Sequence, residues 1–474
     1  MKSKNYLAIL LVLVLGMAQL AFGTALDDYV AAPDANYRYS LVNTIKGPGF
    51  TSYVLDMTSQ SWRSKSEVDR TLWQHWLTII KPSKVSSNKA LLFINGGSNG
   101  GSAPTSPDMM LGMLAMSTNT VVAELRMVPN QPLKFPDGGR PRYEDAIIAY
   151  TLDKCINTGD ETWPLLLPMV KSAVRAMDTI QSHILSVTDH KLNINKFIVS
   201  GASKRGWTTW LTAAVDKRVI AIMPLVIDVL NMDESMKHHF GAYGFYSPVI
   251  QDYVKMKVFQ RMDTPKGQAL LKIVDPYEYR NRLTMPKYLV NATGDQFFLP
   301  DSAQFYFHDL PGEKYLCYLP NTDHGLNLGA FANLTVFYKS VLAGSARPKF
   351  SWSVRPDGSI VVTTVTTPSQ VNLWQATASK TRDFRIGTIG RVWKSSPLTD
   401  QGGGVYVAKV PVPKEGWTAF FVELNFDGGQ VGTYKFTTQV HVVPQRLPFA
   451  DKLSFDSDVD FESLRRQEIF AASP

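Results

Sequence analysis

Cysteine is nearly absent: Cys155 and Cys317 are the only two in 474 residues. So few thiols exclude a disulfide scaffold and any centre built on several cysteines. A single Cys155–Cys317 bridge and two buried thiols both stay open. Blocks of Lys and Arg are also missing. The 49 basic and 41 acidic residues leave a net charge of +8. Spread thinly over a chain this long, that charge argues against a nucleic-acid partner and for a mildly basic, solvated surface. Beyond the first two dozen residues no apolar run is long enough to cross a bilayer. Metal-ligand spacing is lacking as well. His238-His239 has no third ligand at suitable distance in sequence, so neither a metal nor a cofactor is expected. His75, His183, His190, His308 and His441 read as structural or solvated.

What is present begins at the N-terminus. Lys2 and Lys4 precede an apolar run from Tyr6 to Phe22, and Ala21 and Gly23 place small residues at a cleavage site. The order basic, apolar, small describes a secretory signal peptide over residues 1–23, and with it a secreted, extracellular protein without stable membrane insertion. Asn291-Ala-Thr293 and Asn333-Leu-Thr335 match the glycosylation pattern, although Asn291 falls in a predicted core strand.

Leu26–Val30 reads as an extended or short helical opening. Two early strands are expected at Val54–Met57 and Leu72–Ile80. Short apolar runs then alternate with helical spacing. The runs are Ala90–Ile94, Thr120–Leu125, Lys196–Ser200, Ala221–Ile227, Tyr288–Val290 and Tyr315–Leu319, and the helices are Tyr143–Ile156 and Leu165–Ile184. Strands apolar on both faces and separated by helices indicate a parallel sheet covered on both sides, an α/β fold. Residues 231–286 carry no strand pattern and many Met and aromatic residues, which describes a helical cap inserted into the α/β domain at 24–346. From Arg347 the texture changes to short alternating runs broken by turns such as Pro356-Asp357-Gly358, which predicts a small β-sandwich over 347–444. A continuing mixed sheet is the alternative. Residues 445–474 form a polar tail.

The chemistry centres on a strand, then Gly201-Ala202-Ser203-Lys204-Arg205-Gly206, then a helix. A sharp strand-to-helix turn presents Ser203, and the helix N-terminus favours negative charge developing beside it. The common pattern is G-x-S-x-G; here Arg205 occupies the second glycine position and Gly206 follows it. Such a basic variant is similar to the elbow of glucuronoyl esterases. Asp295 lies just past the strand at Lys287–Ala292, and His324 just past Tyr315–Leu319. Chain order nucleophile, acid, histidine is that of α/β-hydrolases. Serine needs an imidazole to take its proton, and the imidazole needs a carboxylate to orient it. Asp301 and Asp323 are rivals for the acid. The expectation is a Ser203–His324 contact of about 2.6–3.5 Å. Gly96 and Gly97, in a Gly-rich loop similar to that of esterases and lipases, and the Lys204 N–H are candidate oxyanion donors. Trp207 and Trp210, spaced along one helix face, read as core.

Together Leu26–Val30, Asn95-Gly96-Gly97, Gly201–Trp207, Thr293-Gly294-Asp295 with Phe297–Asp301, and Asp323-His324 resemble the PhoPQ-activated pathogenicity-related protein family. The resemblance spans roughly Leu26 to Pro444. It implies an α/β-hydrolase fold and secretion, and the family includes eukaryotic members described as autocrine proliferation repressors. Two functions follow as expectations. One is a serine hydrolase acting on a small-molecule ester or peptide. The other is a secreted signal read by a cell-surface receptor.

Overall fold

The structure, a computed structural model, describes residues 23–452. The expected signal peptide and most of the polar tail lie outside the described residues. The described residues open with helix α1 (Ala25–Ala31), the short helical form of the expected opening. Thr24 and Asp27 cap each other's backbone N–H groups there, which fixes the first turn. Three antiparallel strands follow, β1 (Arg38–Gly47), β2 (Phe50–Ser61) and β3 (Leu72–Pro82). The β/α series is β4 (Lys89–Ile94), α2 (Met109–Thr118), β5 (Val121–Leu125), α3 (Glu144–Thr158), α4 (Leu166–Val187), β6 (Lys196–Ala202), α5 (Lys204–Val215) and β7 (Val219–Leu225). Only helical turns lie between β7 and the next strand, among them the α-helices α6 (Met232–Tyr243), α7 (Gln251–Lys255) and α8 (Pro265–Val274). This is the helical cap. The series closes with β8 (Lys287–Ala292), β9 (Lys314–Leu319) and α9 (Leu328–Ala343).

Strands β5, β4, β6, β7, β8 and β9 lie side by side in that order and run parallel, and β3 joins β5 antiparallel. All six parallel strands therefore end on one edge, where the loops that follow them meet. β5 is buried at every residue, as are all six residues of β8. Asn291 is thus inside the core. Both cysteines are buried free thiols, Cys155 in α3 and Cys317 in β9. Trp210 is fully buried, and Trp207 donates its indole N–H to the Val274 carbonyl at 2.6 Å, tying α5 to the end of α8.

The C-terminal strands are β10 (Phe350–Val354), β11 (Ile360–Thr364), β12 (Gln370–Ala378), β13 (Lys394–Pro397), β14 (Val405–Ala408), β15 (Trp417–Asp427), β16 (Thr433–Thr437) and β17 (His441–Val443). They make two layers. β10, β11 and β14 form a separate sheet, packed through Ile360, Val362 and Tyr406 on Phe420, Val422 and Leu424 of β15. The second layer joins the central sheet. Thr437 of β16 pairs with Leu316 of β9, and its hydroxyl accepts the Tyr318 N–H at 3.1 Å.

Candidate active site

Ser203 is the single residue between β6 and α5, held at φ 56° and ψ −123°. A non-glycine residue there is strained, and the surroundings must impose it. Its N–H donates to Leu225 O of the neighbouring strand at 2.8 Å, and its carbonyl accepts the Trp207 N–H. The flanking glycines are required by close approach. A Cβ on Gly201 would lie 2.7 Å from Arg205 O, and one on Gly206 about 3.0 Å from both Gly201 O and Leu225 O. Gly206 thus supplies the closeness of strand to helix although it stands one residue later than the common pattern has it.

The side chains that replace the missing glycine have work of their own. Arg205 makes a two-pronged pair with Glu144, both contacts 2.7 Å, and its guanidinium lies against Gly96, where a Cβ would sit 2.7 Å from Nη2. Lys204 is buried and donates to Asp145 Oδ2 at 2.8 Å. Burial alone would raise Glu144, but Arg205 and Lys204 outweigh it and hold its carboxyl below the ordinary range. Glu144 and Asp145 open α3, and Glu144 sits at φ 49°. No local motif marks either carboxylate in the sequence, since their partners lie some sixty residues away.

The loops after β8 and β9 meet. His324 Nδ1 donates to Asp295 at 2.9 Å to Oδ2 and 3.0 Å to Oδ1, and Asp295 is 4% exposed. Asp295 Oδ1 also accepts the Phe297 N–H at 2.7 Å, and Gln296 Oε1 accepts the His324 N–H at 3.1 Å. With the proton on Nδ1, Nε2 is left as the acceptor. Nε2 is buried and makes no hydrogen bond, so no Ser203–His324 hydrogen bond is formed. The Phe297 ring lies tilted against the imidazole at 4.2 Å between centroids, and Phe297 and Ser203 line one cavity. Phe297 therefore contacts the imidazole and borders the cavity that Ser203 lines, a role with no signature in sequence.

The rival carboxylates are engaged elsewhere. Asp301 Oδ2 is 3.0 Å from His238 Nε2 and 2.5 Å from Arg382 of the C-terminal layers. Asp323 Oδ1 accepts the Gly325 N–H within its own turn. His239 accepts the Ser247 N–H. The Gly96 N–H is taken by Asn95 Oδ1 at 2.8 Å, whereas the Gly97 N–H makes no hydrogen bond among the described residues. Of the two glycine amides, only that of Gly97 is available to a ligand.

One more group was not anticipated. Asp228, just past β7, is buried and accepts from Tyr306 and Tyr318 hydroxyls, each at 2.6 Å. Burial pushes it up to about 7 despite both hydrogen bonds.

Among solved structures, acetyl xylan esterase 1 from a Thermoanaerobacterium species matches with a TM-score of 0.45 at 14% identity, over 67% of this chain and 91% of that one. The cell-wall-degrading esterase LipA from Xanthomonas oryzae matches with a TM-score of 0.37 at 12% identity, over 66% and 96%. A closer relative in sequence is the autocrine proliferation repressor protein A of Dictyostelium discoideum, 37% identical over 471 residues, 93% of this chain and 94% of that protein. The model of the PhoPQ-activated pathogenicity-related proteins matches residues 26–385, a stretch that runs from α1 through the serine turn and both loops of the Asp295–His324 pair. With that span matched and that relative alongside, the chain belongs to the PhoPQ-activated pathogenicity-related protein family.

Proposed function

We propose that this chain is a serine hydrolase of carboxylic esters or amides, acting through an acyl-enzyme on Ser203. The observation that carries the reading is the Asp295–His324 contact, which leaves Nε2 as a buried, unpartnered proton acceptor on the sheet edge that also carries the strained serine. Ser203 Oγ attacks the substrate carbonyl carbon while His324 Nε2 takes the hydroxyl proton. The Gly97 and Lys204 N–H groups receive the oxyanion. The carbon–oxygen or carbon–nitrogen bond then breaks, and the leaving group departs with the proton from Nε2. Water, deprotonated by the same nitrogen, releases the acid and restores Ser203.

A fluorophosphonate probe should label the wild-type chain on Ser203 and leave Ser203→Ala unlabelled, with ester turnover in the variant down at least about 10³-fold. Folded wild-type protein that neither takes the probe nor cleaves short esters would sink the reading. Export supports an extracellular setting for this chemistry, and the basic–apolar–small order of residues 1–23 supports export. The mature protein in the growth medium would then begin close to Thr24, which N-terminal sequencing checks.

A second reading rests on the relative's name. At 37% identity over 93% of the chain, a role as a secreted repressor of proliferation, read by a receptor, is a serious alternative. Purified Ser203→Ala added to growing cells separates the two. Undiminished slowing of growth assigns the effect to binding, and lost slowing assigns it to hydrolysis.

A further inference from the structure

We infer that the acyl group delivered to Ser203 is an uncharged, apolar chain of about four to six carbons, carried on a larger leaving group. The inference rests on the hydrolase reading above and names its substrate class. Ser203 opens onto a cavity of about 60 Å³ between the serine turn and the cap. At roughly 10–15 Å³ per water, the space matches about four to six waters or a carbon chain of similar bulk. Trp207 of α5, Met236 of α6, Met262, and Leu270 and Leu271 of α8 supply apolar walls.

The rim decides the charge. Among the described residues, Asp145 and Lys204 are the only ionic ones lining the cavity, and they neutralise each other at 2.8 Å. The remaining Asp145 oxygen accepts the Tyr253 hydroxyl at 2.8 Å. Neither an ammonium nor a carboxylate on the acyl chain would find an unpaired partner there, so an aminoacyl or dicarboxylic acyl group would enter with an uncompensated charge. On the other side, His324 borders a second cavity of about 500 Å³, lined also by Asn95, Asp108 and Glu124. The leaving group needs its proton from His324, and this wider, partly polar space beside the imidazole accommodates it.

The test is a series of p-nitrophenyl esters from acetate to dodecanoate, hydrolysed by the full chain. Burial of one methylene is about 0.8 kcal/mol, and 1.4 kcal/mol is tenfold. Thus kcat/KM should rise about threefold to fourfold per carbon up to butyrate–hexanoate and fall at least tenfold by decanoate. Leu271→Trp, which fills the cavity, should move the optimum to acetate, with its melting profile reporting on the fold. If that variant does not fold, the wild-type profile alone decides. A wild-type optimum at acetate, a flat series, or a preference for decanoate overturns the inference while leaving the hydrolase standing. No turnover of any ester together with an unlabelled Ser203 removes both.

Discussion

Gly206 shows how little room the serine turn leaves. A methyl group there would meet two backbone carbonyl oxygens and the Ile227 side chain, none of which moves cheaply. Gly206→Ala should therefore lose about 1–3 kcal/mol, read as a lower denaturant midpoint. Asp295→Asn keeps the shape of the acid but loses the charge that holds the Nδ1–H tautomer, and kcat should drop by about 10⁴. Asp228 gives a pH signature. Its ordinary value is 3.8 and the folded value about 7, so between these pH values the folded state holds a proton that the unfolded chain has released. Stability from this group is intact below about pH 4, declines as pH rises, and is fully lost above about 7. Asp228→Asn, which cannot ionise, should gain on wild type as pH is raised from 5 to 8, measured by thermal melting. Much of this scale was legible beforehand. Ser203, Asp295 and His324 each follow an apolar run, so their place on the sheet edge comes from strand order alone. Asp228 lacked such a marker, because its two tyrosine partners lie some eighty and ninety residues further along.

The elements divide by how much contrast they carry. β4 to β9 are short apolar runs between turns and could be read directly. β1 could not: it is an edge strand, mostly exposed, with no alternation of buried and wet residues. α2 also gives no periodic signal, being apolar on every side, with Leu111, Leu114 and Ala115 buried while Met109 and Met113 face solvent. The start of α3 matters most to the site. Glu144 binds Arg205, Lys204 and Gln131 together, fixing the helix that follows the serine. Glu144→Gln replaces the two-pronged charged pair with a neutral contact. It should cost about 1–3 kcal/mol in stability and lower kcat through a looser α5, while the affinity for substrate changes little. Stability from denaturant titration and steady-state kinetics on one ester check both halves.

At the scale of the molecule the C-terminal layers are part of the site's support. The Ile386 N–H donates to Gly294 O, one residue before Asp295, and Asn321 and Trp393 exchange two hydrogen bonds of 3.0 Å beside the His324 loop. Arg382 reaches further, to the buried Asp301 that also holds His238 of the cap. Burial by itself would raise Asp301, yet Arg382 and His238 together drive it well below the ordinary carboxylate range. Arg382→Ala should cost about 3–5 kcal/mol, because a buried carboxylate loses its main counter-charge. Unfolding followed by tryptophan fluorescence tests this. The sequence signalled a separate β unit by its texture. It carried no mark of the Thr437–Leu316 pairing, since one backbone bridge needs no particular side chain.

That bridge bears on any attempt to work with the α/β part alone. A polypeptide stopped at residue 346 would lose β16 from the outer rim of β9, with it the Thr437–Leu316 pairing and the Thr437 hydroxyl that accepts the Tyr318 N–H, and the apolar packing of the C-terminal layers on Tyr315, Cys317 and Leu319. Bare rims of this kind recruit copies of themselves. The shortened product should collect in the insoluble fraction during expression, and the trailing hundred residues would then serve as a stopper against self-association as much as a domain in their own right.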